Sequence, residues 1–145
     1  MSTDTRPLLV MPTGITNAEL TRTLLTARVL LKAADHLARR GVWSDGMVPA
    51  GHDGNPLVPC NLPAAINVVA AGVPVTMLPD SPLARDAKHA VARHLDLLDG
   101  CPLPPAAVDL DAVLTEWCDR AAPRPLDAVK LLAATAERLL SGWRP

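Results

Sequence analysis

The stretch from Thr16 to Gly41 constrains this chain more than any other, because both ends and the interior specify one helix. Thr16 is followed three positions later by Glu19, the spacing of a capping box. The Thr16 hydroxyl accepts from the Glu19 N–H, and the Glu19 carboxylate can reach back to Thr16. Ile15 before the cap and Leu20 inside the helix form the matching hydrophobic staple. Leu20, Leu24, Ala27, Leu31, Ala34 and Ala38 then recur at alternating spacings of three and four, and Leu30 and Leu37 widen that stripe. Arg22, Lys32, Asp35, His36 and Arg39 fall mostly on the other side. Arg39-Arg40 complements the negative end of the helix dipole, and Gly41 ends the helix. The spacing predicts a helix over 16–40.

The next segment, 42–61, is different in kind. Gly46, Pro49, Gly51, Gly54, Pro56 and Pro59 interrupt any long regular element. Asp53-Gly54 is a tight-turn dipeptide flanked by Met47-Val48 and Leu57-Val58, the pattern of a small β-hairpin. Otherwise the segment is a long loop, and structureless loops of this length are uncommon in compact domains unless they have a function.

Helical signals return after it. Asn61 caps Leu62 to Ala71, which Gly72 and Pro74 stop. Ser81 with Pro82 opens a helix to about Leu98, ending at Gly100, with Ala84, Ala87, Val91, Leu95 and Leu98 inward. Cys101 to Pro105 reads as a stiff, extended connector. Asp109 caps a helix through about Ala121, and Pro123-Arg124-Pro125 separates it from a last helix over about 126–140. That helix's stripe is Leu126, Val129, Leu132, Ala133, Ala136 and Leu140. The fold expected is mainly α: a compact bundle of about five helices, with a small β-hairpin or long loop at about 42–61. Residues 1–15 form an extended segment before a single helical domain over 16–145.

Composition narrows the function. Hydrophobic types make up 49% of the 145 residues and the net charge is −1, which excludes a disordered chain. Lys and Arg are scattered among Asp, and Phe and Tyr are absent, so neither a phosphate-binding patch nor a base-stacking platform is present. Nucleic acid is not expected as a partner. No apolar run approaches the roughly 18–20 residues of a transmembrane helix, and the N-terminus lacks a secretory apolar region. Cys60, Cys101 and Cys118 are odd in number and fit reduced thiols. The chain is expected in the cytoplasm, off the membrane.

Chemistry-bearing clusters are few. No His pair has the spacing that lets one helix face hold zinc, and neither a metal nor a cofactor is expected. His94 lies beside apolar positions and reads as a partly buried structural histidine, while His89 and His36 read as solvated. The one local cluster is His52, Asp53 and Cys60, in which a polarised imidazole could activate a thiol. The Asp53-Gly54 turn already accounts for part of it, and burial would raise the thiol's pKa, so Cys60 reads first as a structural cysteine. Asp109 and Asp111 complement a helix dipole. Trp43, Trp117 and Trp143 read as packing anchors, with Trp117 in the core beside Val113, Leu114 and Ala121.

One larger pattern runs through the chain: Gly41-Val42-Trp43, an Asp-Gly turn, Cys60 to Ala65 as Cys-x-Leu-x-Ala-Ala, Trp117-Cys118-Asp119, and Asp127-Ala128-Val129. Over about residues 20–140 this resembles a family of small actinobacterial and actinophage proteins classed as a domain of unknown function. Asn61 and Pro63 depart from the usual Leu-Gly after the cysteine, and Cys118 stands where Asn is commoner. The resemblance implies a helical cytoplasmic domain and brings no activity with it. An interaction or regulatory module, with a protein partner or self-association as a homodimer, is the leading expectation. A small enzyme or small-ligand binder using His52, Asp53 and Cys60 is the second, and a structural or cargo component of a larger assembly is the third.

Overall fold

Thr16 opens the first helix as its sequence requires: its Oγ1 accepts from the Glu19 N–H at 3.1 Å. The computed structural model describes residues 16–98, 108–120 and 124–142. They form α1 (Asn17–Arg40), α2 (Leu62–Ala71), α3 (Pro82–His94), α4 (Leu110–Arg120) and α5 (Pro125–Ser141). Ile15, the extended segment 1–15, the Cys101–Pro105 connector and Trp143 lie outside the described residues.

α1 is the central element, packed most extensively on α5 and also on α2 and α3. Because three helices surround it, it buries a wide arc: Thr26, Ala27, Val29, Leu30, Ala33, Ala34 and Leu37. The expected stripe is therefore rotated. Leu24 and Leu31 remain 47% and 46% exposed, and Ala38 is exposed as well. Gly41, at φ 97°, ends α1 with its N–H on the Leu37 carbonyl at 2.9 Å.

The β-hairpin is not formed, and the segment 42–61 is a loop. Among the described residues its single bridge is a parallel one, Val42 with Cys60. Pro49, Pro56 and Pro59 lack the N–H a ladder needs, so the chain closes local turns instead, His52 N–H to Pro49 O and Asn55 N–H to His52 O. Further bonds tie the loop down. Asn61 N–H donates to Met47 O, Val75 N–H donates to Asp53 O, and Asp45 N–H donates to the Asp119 carboxylate of α4.

Asn61 caps α2 as its sequence indicates and is itself fully buried, its Oδ1 accepting from Ala64 N–H and its Nδ2 donating to Thr115 Oγ1. α3 stops at His94, one turn earlier than expected. Asp96 takes the left-handed conformation at φ 56°, with its own N–H on Arg93 O and Leu97 N–H on Ala92 O. That is the Schellman arrangement, with aspartate where glycine is usual. Asp109 caps α4, accepting from Ala112 N–H at 3.1 Å.

Two more expectations are corrected. The buried face of α4 is Leu110, Leu114 and Cys118, so Trp117 falls at its edge and is half-buried. It lines a groove of about 450 Å³ with Leu97, Ala112, Val113, Glu116 and Arg120. On α5, Leu126 is 55% exposed, and the buried set includes the polar Thr135.

Candidate functional site

Three helix segments distant in sequence build a broad concavity. The N-terminal half of α1 supplies Glu19, Arg22, Thr23 and Thr26; α3 supplies Asp86, His89, Ala90, Arg93 and His94; and the end of α5 supplies Thr135, Arg138 and Leu139. Asp96, Leu98 and Gly142 complete the lining of a groove of about 1010 Å³. Glu19, Arg22, Arg93, Asp96 and Arg138 are exposed, so the groove opens to solvent along a charged rim.

A bidentate ion pair joins two of its walls. Arg22 Nε and Nη2 both donate to the Asp86 carboxylate, the second at 2.7 Å. The third wall is fixed by His94 Nδ1, 2.8 Å from Thr135 Oγ1, which in turn donates to Leu131 O at 2.8 Å. A hydroxyl has one proton. For both contacts to be hydrogen bonds, His94 Nδ1–H must donate and Thr135 must accept, so that in the neutral ring the free lone pair is on Nε2.

His89 lies one turn earlier on α3. Its Nε2 is enclosed and has no hydrogen-bond partner. Burial lowers its pKa, and the positive charges of Arg93 and Arg85 lower it further against the opposing Asp86, so the imidazole is neutral at pH 7. His89 is therefore not the solvated residue its helical position implies. His36 is similar: Nε2 is enclosed without a partner, and burial, then Arg40, lower its pKa. Trp43 Nε1 also lacks the partner expected for a buried indole.

The cluster nominated from sequence is not assembled. His52 and Asp53 are exposed, whereas Cys60 has no exposed surface. Burial pushes the Cys60 thiol up to about 12, so it remains protonated at neutral pH and is no nucleophile. Cys118 is buried too and pushed up to about 11. None of His52, Asp53 and Cys60 lines either groove. Among the described residues no group of three or more His, Cys, Asp or Glu is placed to hold a metal ion. Likewise no described helix is long and apolar enough to cross a membrane.

The groove escaped sequence reading because no segment of it is a motif. The available signal was Arg93 and Arg138 beside His94 and Thr135, polar positions interrupting the apolar faces of two helices.

The model of a family of unknown function, DUF6197, matches residues 21–138. The chain belongs to DUF6197. The match reaches all five helices except the first residues of α1 and the last of α5, and it takes in the 42–61 loop and most of the lining of the larger groove, without Glu19, Leu139 and Gly142. No curated protein and no solved structure matches this DUF6197 chain.

Proposed function

We propose that this DUF6197 protein is an interaction module whose α1–α3–α5 groove receives a segment of a partner protein. The groove carries this reading. Its volume is at the upper end of the roughly 300–1,000 Å³ of small-molecule sites, yet its rim is exposed and charged. Such a shape leaves one side of its occupant in water, as a docked peptide or helix requires. A thiol-based enzyme in the 42–61 loop has no comparable support, since Cys60 is buried and protonated. Two free cysteines in the core suit a reducing compartment such as the cytoplasm.

The test is site-specific photo-crosslinking in cells, with a benzophenone side chain at Thr23 in the groove or at Lys130 on the exposed side of α5. The Thr23 position should give an adduct of discrete mass that the Arg93→Glu/Arg138→Glu variant loses. A mass of twice the chain would identify a second copy as the partner. No adduct at Thr23, or the same adducts from both positions, would overturn the reading.

A further inference from the structure

The groove's charges are unequal in how they are spent. Arg22 is satisfied by Asp86. Among the described residues, Arg93 and Arg138 have no ion-pair partner, although both border the groove. They come from two different walls of the same groove, α3 and α5. Arg93 precedes His94, whose ring touches Thr135, and Arg138 follows Thr135 by three positions, on the same side of α5. A guanidinium presents a planar fork of donors that matches a carboxylate in two parallel bonds. His94 lines the same groove, and its neutral ring offers Nε2 as an acceptor, because its other nitrogen is committed to Thr135.

Glu19 and Asp96 also border the groove, and they restrict what can enter. A uniformly anionic polymer would meet their charge along its length, so a nucleic-acid backbone is disfavoured. A short chain with a localised carboxylate and N–H groups beside it has no such difficulty.

Resting on the docking role proposed for this groove, we propose that it binds a peptide carboxylate. The guanidinium groups of Arg93 and Arg138 hold the carboxylate, and His94 Nε2 accepts a hydrogen bond from the adjoining peptide N–H. The carboxylate comes from an acidic side chain or from a C-terminus, and the two share one chemistry.

Four N-acetylated pentapeptides test this against the full-length ¹⁵N-labelled chain by nuclear magnetic resonance. Leu-Glu-Leu-Glu-Leu carries a C-terminal acid or a C-terminal amide, and Leu-Gln-Leu-Gln-Leu carries the same two ends. The acidic probes should give saturable shifts in residues 19–26, 89–96 and 135–142, and the uncharged glutamine amide should give none. The Glu amide and the Gln acid separate side-chain from C-terminal recognition. Arg93→Gln/Arg138→Gln should weaken binding at least about tenfold, the scale of losing charge-assisted bonds. Both arginines are exposed, so an unchanged thermal melt verifies that the variant is folded. Equal binding of the uncharged peptide, wild-type affinity in the double variant, or no saturable shift with any acidic probe would overturn the proposal. If the Thr23 crosslink survives while the acidic probes fail, the groove docks a partner of other chemistry. If both fail, the docking role falls as well.

Discussion

The ammonium of Lys88, which has no solvent exposure, stands 2.6 Å from Asp111 Oδ1. A second carboxylate, Asp80, accepts a hydrogen bond from the same Nζ at 2.7 Å. One cation thus ties α3 to the start of α4 and to the loop before Ser81. A buried lysine is tolerated only when paired in this way.

Lys88→Met should therefore destabilise the fold. It removes the cation and leaves two carboxylates facing one apolar site. Breaking a buried pair costs about 3–5 kcal/mol, and the lower end applies because the Asp111 side chain is 33% exposed and keeps some water. Adding Asp80→Asn and Asp111→Asn should recover part of the loss. Urea denaturation midpoints of the three proteins measure it, and an unchanged midpoint in Lys88→Met would contradict the structural role.

Cys60 and Cys118 give a second expectation. Their pKa values of about 12 and about 11 stand above the ordinary 9.0, chiefly through burial. In a Cys101→Ser background, iodoacetamide at pH 8 should leave both thiols unlabelled in the native protein and label both in urea. The sign for stability follows. Thiols whose folded pKa is raised stabilise fully below pH 9, and that contribution is lost as pH rises toward 11 and 12. Rapid native labelling of either residue, read by mass spectrometry, would show that its site opens to solvent.

The helix ends were legible because they are local. Thr16, Asn61, Ser81 and Asp109 each satisfy an N–H three residues on, and four-residue patterns suffice to find them. Which face a helix buries is not local. The α1 stripe identified an amphipathic helix, but only the number and position of its neighbours decide that Ala33 is inside and Leu31 outside. Lys88 shows the same gap: on α3 it reads as one more polar residue, and Asp80 and Asp111 arrive only through the fold. The Asp96 cap was missed because aspartate at that position carries no glycine signal. The nominated cluster erred in the opposite direction, since nearness in sequence did not bring the exposed His52 and the buried Cys60 to one site.

His94 and Thr135 allow a direct check of the groove's chemistry. The shared hydrogen bond with Leu131 O predicts that neutral His94 carries its proton on Nδ1. Long-range ¹H–¹⁵N spectra at pH 8 should show a protonated Nδ1 and a bare Nε2. Thr135→Val removes the acceptor and should abolish that bias. An Nε2-protonated ring in the wild type would mean that Thr135 donates to His94, and the groove would then lack its acceptor.

Acid sensitivity follows from the two enclosed imidazoles. Burial is the largest cause of the lowered pKa values of His36 and His89, aided by Arg40 at the first and by Arg93 and Arg85 at the second. In the unfolded chain both rings take up protons near the ordinary value of 6.5. In the folded chain they resist. The unfolded state therefore binds more protons as pH falls below that value, and stability falls with it, whereas above it the two states bind equally. Urea midpoints should drop between pH 7.5 and 5.5, a window chosen to stay above the ordinary carboxylate range of about 4. His36→Gln/His89→Gln should flatten the drop, and Arg93→Gln should move the His89 titration back toward 6.5 by removing one repelling charge. A midpoint that is constant across the window, or an equal drop in the double variant, would mean that these imidazoles are protonated as easily folded as unfolded.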